Sequence, residues 1–256
     1  PGFENIASKM VWEGFAADSL SLDEVEVDYD LKKISTYIWD GKASYAIKGI
    51  KGKEGEVVFE ISNFKGDYFL DYNDNDLTTG GKLAFDLFSD SEITIEDASV
   101  KLEANKLDAQ GYEEFMTTYT QTVYSAMDSF AAVAEGETDE MTEAMEQQMM
   151  AAGMQMMTAY EKFLKKDLEL KISSLKATLP EGEIKGKLTL KLLKDTTFAQ
   201  LMPVAAQPDL ALDFISIDSE LSFPAELGQG TPMLEAPLFP GMETGMFAKK
   251  GSDYVH

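Results

Sequence analysis

Cysteine is absent from the 256-residue chain, and histidine occurs once, at the last position, His256. The absence of cysteine excludes disulfides, thiolate metal sites and cysteine nucleophiles, although it leaves the redox compartment open. Because its one histidine is at a fraying end, the chain cannot assemble a Ser-His-Asp or Cys-His site. A zinc site would lack its usual cysteine and histidine ligands. The sequence therefore predicts a protein that is not an enzyme and that binds neither a metal nor a cofactor.

Basic residues and long apolar runs are also scarce. Twenty-two basic residues stand against 46 acidic ones, which gives a net charge of -24. This charge repels the phosphates of nucleic acid, so we expect no nucleic-acid partner. No apolar run reaches the ~18 residues of a membrane span, and residues 1–14 lack the pattern of a signal peptide. Because the sequence starts at Pro1 without an initiator methionine, we expect that an upstream segment was removed, and any membrane anchor would have been removed with it.

Residues 1–107 alternate between apolar and polar positions, which is typical of half-buried strands. The alternation slips once, at residues 23–24, as in a β-bulge or a short turn. Asp40-Gly41 stands between two apolar-aromatic runs and predicts a hairpin turn. Further strands are predicted at 56–61, 67–72, 82–88 and 98–107. This amino-terminal region is expected to form an antiparallel sheet with one dry face.

The apolar period lengthens to that of a helix in residues 108–166. Gly136 is placed to end a first helix, and Thr138 to cap a second. The pattern predicts an antiparallel helical hairpin, in which the first helix presents Tyr112, Phe115 or Met116, Tyr119, Val123, Met127 and Phe130 at helical spacing.

Strict alternation returns in residues 167–256, around a Pro-Glu-Gly turn at 180–182 and in a strand at 211–223. Residues 224–244 hold half of the eight prolines and predict an irregular crossing segment. The predicted fold class is α+β, with mainly antiparallel β-sheet and a central antiparallel helical hairpin packed on one face. The three regions can form one domain, and the pattern leaves open whether they build one sheet or two.

The carboxylates give two weak indications of a functional site, one catalytic and one calcium-binding. A close carboxylate pair could hydrolyse glycosides, but 46 acids make a chance pair inevitable. Residues 71–81 resemble a calcium loop, yet Asp76 stands where that loop needs glycine and Lys82 where it needs glutamate. A polar turn between strands is the better interpretation of this segment.

Seven of the fourteen methionines lie in residues 141–164. At 100° per residue, their apolar side chains form two adjacent stripes that together span roughly 200°, too wide for one contact. In one interpretation, one stripe covers the sheet and the other meets the first helix. In another, the second stripe lines a groove for a lipid-like ligand or binds a partner protein, and a third is a thioether Cu(I) site. The candidate ligand- or partner-facing residues are Met145, Met149, Met150, Met154, Met157 and Leu164.

The segments KLEANKLDAQGYEEFM, TLPEGEIKGKLTL and GMFAKKGSDYV, in this order around a helical region, resemble the YdgA-like family of uncharacterised bacterial envelope proteins. The resemblance implies a periplasmic body anchored to the inner membrane, and it supplies no catalytic residues. Two functions are therefore predicted. One is a non-catalytic periplasmic scaffold or protein-interaction module, and the alternative is a carrier that holds a lipid-like molecule between the sheet and the Met-rich helices.

Overall fold

A computed structural model describes residues 5–17, 19–54, 57–134, 140–206, 208–230, 248–250 and 253–255. These residues form thirteen strands, four α-helices and one 3-10 helix. The strands before the helical hairpin are β1 (Asn5–Trp12), β2 (Phe15–Ala16), β3 (Leu20–Leu22), β4 (Val25–Lys33), β5 (Trp39–Glu54), β6 (Val57–Asn73), β7 (Asp76–Ser89) and β8 (Thr94–Asp108). Those after it are β9 (Glu169–Leu179), β10 (Gly182–Leu192), β11 (Ile215–Pro224), β12 (Ala248–Lys250) and β13 (Asp253–Val255). The helices are α1 (Ala109–Ala134), α2 (Glu140–Glu161), α3 (Phe198–Ala206) and α4 (Ala225–Gly230), and the 3-10 helix is Pro208–Asp213.

All thirteen strands belong to one antiparallel sheet, in which eleven follow the order β1-β4-β5-β6-β7-β8-β9-β10-β11-β13-β12. β8 pairs with β9, so the strands before and after the helical hairpin are neighbours. Among the described residues there is therefore one sheet and not two. Ser173 lies at a bulge in β9, where the register with β8 and with β10 shifts by one residue.

The slip at residues 23–24 is neither a bulge nor a turn. β3 and β4 both pair with β5, Leu22 with Ile50 and Val25 with Ile47, so the register is unbroken across the slip. Asp23 and Glu24 continue the pairing through backbone hydrogen bonds with Gly49 and Lys48. Because the strand runs on regularly, the apolar side chains change from one face of the sheet to the other at this point.

The predicted hairpin turn at Asp40-Gly41 is wrong. Both residues lie inside β5, and the chain reverses over residues 34–38 instead, where the Ile34 N–H donates to the Ile38 carbonyl. Gly41 has a φ of 138°, and a Cβ on it would stand 2.0 Å from the Asp30 carbonyl oxygen. Glycine is therefore needed for close approach of two strands and not for a turn. The Pro-Glu-Gly hairpin is confirmed, since β9 ends at Leu179 and β10 begins at Gly182.

The predicted α+β class with a helical hairpin packed on a sheet face is wrong. The described strands hold 122 residues and the α-helices 63, so the fold is mainly antiparallel β-sheet. α1 and α2 do pack on each other, as the contact between the rings of Phe115 and Tyr160 shows at 4.7 Å. Their described contacts with the sheet are at their base, where α1 leaves β8, and neither helix lies on a sheet face.

The described residues form two buried clusters. One consists of Phe223, Ala225 and Tyr254, and the other lies at an end of the sheet, beneath the first turn of α1. Ile38, Leu70, Leu77 and Ala109 form it, and Leu77 has no exposed surface. Asp108 caps α1, because its carboxylate accepts the N–H of Gly111 at 2.6 Å. Glu113 then attaches α1 to the 34–38 loop by accepting the N–H of Tyr37 at 3.0 Å and the Ser35 hydroxyl. This arrangement fixes the base of the hairpin and leaves the middle of the sheet uncovered.

Candidate functional site: an uncovered apolar sheet face

The strand register assigns the side chains to two faces, because directly opposed residues of an antiparallel pair point to the same side. On one side, three successive rows cross nine strands from β1 to β11 and contain no charged residue. The first row is Ile6, Leu31, Gly41, Leu70, Thr79, Ala104, Leu170, Leu190 and Ile217. The second is Ser8, Tyr29, Ala43, Tyr68, Gly81, Leu102, Ile172, Leu188 and Ser219. The third is Met10, Val27, Tyr45, Gly66, Leu83, Val100, Leu175, Gly186 and Leu221.

We call these three rows the apolar face. Leu70, in the first row, belongs to the core beneath α1 and is covered. At roughly 4.8 Å between strands, nine strands extend for about 38 Å. Leu102 is 50% exposed, and several other large apolar side chains of the face are 38–51% exposed: Met10, Tyr45, Tyr68, Leu83, Leu170 and Ile217. An exposed apolar patch of this extent is typical of a binding surface, because soluble proteins rarely leave one uncovered.

A groove of about 390 Å³ crosses β7 to β10 on this face. Small side chains form part of its lining, at Thr79, Gly81 and Ala104, and aliphatic ones form the rest, at Leu102, Leu170, Ile172, Leu188 and Leu190. Gly80, Glu103 and Lys171 complete the lining. The volume lies within the range of small-molecule sites, which are mostly apolar with a few polar groups.

The opposite side of the sheet carries the charge. Lys101 pairs with Glu103 at 3.1 Å, Lys171 with Glu169 at 2.6 Å and Lys191 with Asp167 at 2.9 Å. The hydrogen bonds from Ser173 and Lys101 hold the pKa of Glu103 below its ordinary value, and Lys171 lowers the pKa of Glu169 in the same way. These pairs keep one side of the sheet in water and leave the other side for an apolar contact.

The position of the Met-rich helix agrees with one half of the main interpretation and not with the other. Ala159 is buried and Met156 is half-buried, and Phe163 of the same stripe packs on Phe115 of α1 with ring centroids 5.3 Å apart, so one stripe meets the first helix as predicted. The other stripe does not cover the sheet: Met150 is 71% exposed and Met154 67%, and Met157 is half-exposed.

The remaining candidates do not join this group. Leu164 is half-buried beyond the end of α2, where its carbonyl accepts the N–H of Thr196 at 2.9 Å. The side chains of Met145 and Met149 lie outside the described residues, as do Gly136, Thr138 and His256.

No group of acidic residues or histidines in the described part of the chain is arranged to hold a metal ion. In the 71–81 segment, Asp74 and Asn75 form a tight turn between β6 and β7, with φ values of 47° and 74°, and the other residues belong to these strands. Among the same residues, no helix combines the length and the apolar character needed to cross a lipid bilayer.

The sequence predicted a sheet with one dry face, but the prediction that helices cover this face missed a signal to the contrary. The alternation of the strands places far more apolar side chains on one face than two amphipathic helices could cover. Counting those residues against the available helix surface would have predicted an uncovered area.

Residues 2–233 match the model of a family described as a bacterial protein of unknown function (DUF945). The chain belongs to this family. No curated protein and no solved structure matches it. The expectation of a bacterial family without an assigned function is therefore confirmed, whereas the YdgA-like name and the envelope location stay predictions. Membership in the DUF945 family assigns no ligand, so a functional proposal depends on the geometry of the sheet.

Proposed function

We propose that this DUF945 protein binds a lipid-like apolar ligand on the apolar face, in the groove that crosses β7 to β10. The observation that carries the proposal is the three uncharged rows whose leucines, such as Leu102 and Leu170, are half-exposed. Covering them would remove apolar area from water, which is worth roughly 25 cal/mol per Å². The site proposed from the sequence, between sheet and helices, is moved to the sheet alone, since the hairpin lies on neither face.

The shape of the uncharged area favours an acyl chain over a compact ligand. The apolar rows run across the strands for about 38 Å, which is longer than a single fatty-acid chain. Within these rows the groove crosses four strands, about 14 Å, and small side chains at Gly81 and Ala104 lie in it beside larger ones at Leu102 and Ile172. A flexible chain can follow such a groove without hydrogen bonds of its own.

A fluorescent C18 fatty acid, cis-parinaric acid, tests the proposal. Leu102→Glu and Leu170→Glu place a charge in the groove at half-exposed positions, so the fold should tolerate them. The acyl chain of the probe would remove water from the new carboxylate, which costs free energy. Each variant should therefore bind the probe more weakly, by a factor of roughly ten or more. Circular dichroism checks that the variants fold.

Thr189→Glu is the matched control. Thr189 lies on β10 between Leu188 and Leu190, but it points to the polar face opposite Lys171. This variant should bind the probe like the wild type. Equal binding by Leu102→Glu would overturn the proposal, as would no probe uptake by the wild type together with no lipid in native mass spectrometry.

The periplasmic scaffold is a second candidate, and one observation favours it. β1 is an edge strand of eight residues whose Met10, Val11 and Trp12 are exposed, and Lys9 is its one charged residue. A strand edge of this kind can accept a strand from a partner protein. Ser8→Pro should abolish a pull-down interaction that depends on the edge.

An envelope location is part of the same proposal, and cell fractionation of the native protein tests it.

A further inference from the structure

Two tyrosines stand at one end of the groove on the apolar face. Tyr68 lies on β6, directly opposite Gly81, which lines the groove on β7. Because Gly81 has no side chain, the groove is open toward Tyr68, which is 44% exposed. Tyr112 comes from α1 and packs on the core cluster that includes Leu70, and Leu70 is directly opposite Thr79 of the groove lining. The two tyrosines therefore lie at the same end of the groove, one on the sheet and one on the hairpin base.

The phenol groups of Tyr68 and Tyr112 are close enough to interact electrostatically. Burial raises the pKa of the Tyr112 phenol above its ordinary value, and Tyr68 and Glu113 raise it further. The Tyr112 phenol therefore stays protonated at neutral pH and can donate a hydrogen bond. Of the two groups that act on it, Glu113 is a carboxylate and Tyr68 becomes negative when it ionises. This end of the groove therefore favours an uncharged hydrogen-bond acceptor over an anion.

The opposite end of the groove is apolar. Leu188 and Leu190 line it on β10, and Ile217, opposite Leu190 on β11, is 51% exposed. From β6 to β11 the sheet extends over five strand spacings, about 24 Å. This distance matches one extended long acyl chain. A groove with two hydroxyls at one end and aliphatic side chains at the other fits an amphiphile that lies in one direction.

The charged side chains of the groove lining are already paired on the polar face of the sheet. Glu103 pairs with Lys101 at 3.1 Å. Lys171 pairs with Glu169 at 2.6 Å. A carboxylate in the groove would compete with Glu169 for Lys171, in a chain whose net charge is -24. Removing a carboxylate from water without a partner is costly, whereas an ester carries no charge.

We infer that Tyr68 and Tyr112 bind the carbonyl group of an acyl ester whose chain lies along the groove. The inference rests on the proposed function, because it assigns the polar end of the apolar ligand proposed there. Two phenol hydroxyls can donate to the two lone pairs of one carbonyl oxygen. The ester supplies this acceptor without a charge, so the ligand class is a neutral acyl ester and not a free fatty acid.

Two uncharged fluorescent polyenes test the inference. Methyl cis-parinarate carries an ester, and diphenylhexatriene has no hydrogen-bonding group. Tyr68→Phe and Tyr112→Phe each remove one hydroxyl and keep the ring. Each variant should bind methyl cis-parinarate roughly three- to tenfold more weakly than the wild type, because one hydrogen bond is lost. Each should bind diphenylhexatriene like the wild type, because the apolar lining is unchanged.

Tyr29→Phe is the matched control, since Tyr29 lies in the same row as Tyr68 but two strands farther from the groove. It should bind both probes like the wild type. Above neutral pH, the wild type should also bind methyl cis-parinarate more tightly than the ionised cis-parinaric acid.

Two results would overturn this inference and leave the apolar groove supported by diphenylhexatriene binding. One is unchanged ester binding by both Tyr68→Phe and Tyr112→Phe, and the other is acid binding at least as tight as ester binding. A wild type that takes up none of the three probes would instead overturn the proposed function itself.

Discussion

The ring of Tyr45 occupies the space above Gly66, its partner on the neighbouring strand. A Cβ on Gly66 would stand 2.4 Å from the nearest ring carbons, and the same ring lies 5.8 Å from that of Phe64. Glycine at this position therefore lets an aromatic side chain lie flat along the apolar face instead of standing above it.

Gly66→Val should destabilise the protein by about 1–3 kcal/mol, because the new side chain must displace the Tyr45 ring. Urea denaturation measures the change. In a Tyr45→Ala background the clash is gone and valine suits a strand, so the substitution should become neutral or stabilising. An equal cost in both backgrounds would contradict the contact as the cause.

Leucines at the end of the sheet and leucines on its apolar face should contribute differently to the free energy of unfolding. Leu77→Ala empties a site with no exposed surface and should cost roughly 2–5 kcal/mol. Leu102→Ala removes a side chain that is 50% exposed and should cost under about 1 kcal/mol. If thermal and urea unfolding gave Leu102→Ala the larger cost, the apolar face would be a buried core and not a binding surface.

Glu113 should hold the hairpin base to the 34–38 loop. Glu113→Ala removes the acceptor of the Tyr37 N–H and of the Ser35 hydroxyl, and should cost about 1–3 kcal/mol of unfolding free energy. Hydrogen exchange of the Tyr37 amide should accelerate at the same time. Glu92→Ala is the control, since this exposed side chain lies in another loop and should change stability by less than about 0.5 kcal/mol.

Stability should depend on pH through Glu169. The hydrogen bond from Lys171 lowers the pKa of Glu169 in the folded chain, so its stabilisation is complete above the unfolded pKa of about 4.3 and is lost as the pH falls through the folded value. Glu169→Gln should therefore be less stable than the wild type at pH 7, by about 0.2–1 kcal/mol. The difference should shrink toward zero once the pH lies below the lowered pKa of Glu169 in the folded chain. A difference that is constant with pH would show that packing, and not charge, is responsible.

Local patterns predicted much of the sheet and both arms of the hairpin. Alternation placed β7, β8 and β10, because a half-buried strand requires period two in its own residues. The Pro-Glu-Gly turn was also predicted from local sequence, because glycine at 182 can adopt the positive φ of this turn. The turn prediction at Asp40-Gly41 was wrong because glycine is favoured both in turns and where two strands approach closely. Only the facing strand shows that Gly41 serves the close approach.

The amphipathicity of the Met-rich helix determined that it has two apolar surfaces, which is a property of spacing alone. Only the tertiary structure decided what those surfaces meet: Ala159 is buried, while Met150 and Met154 meet solvent. The same division holds for the sheet. Its residues determined by themselves that one face is apolar, but whether helices cover that face depends on where the hairpin is anchored. Glu113 anchors it at an end of the sheet, by contacts with Ser35 and Tyr37, which are distant in sequence and which no local period records.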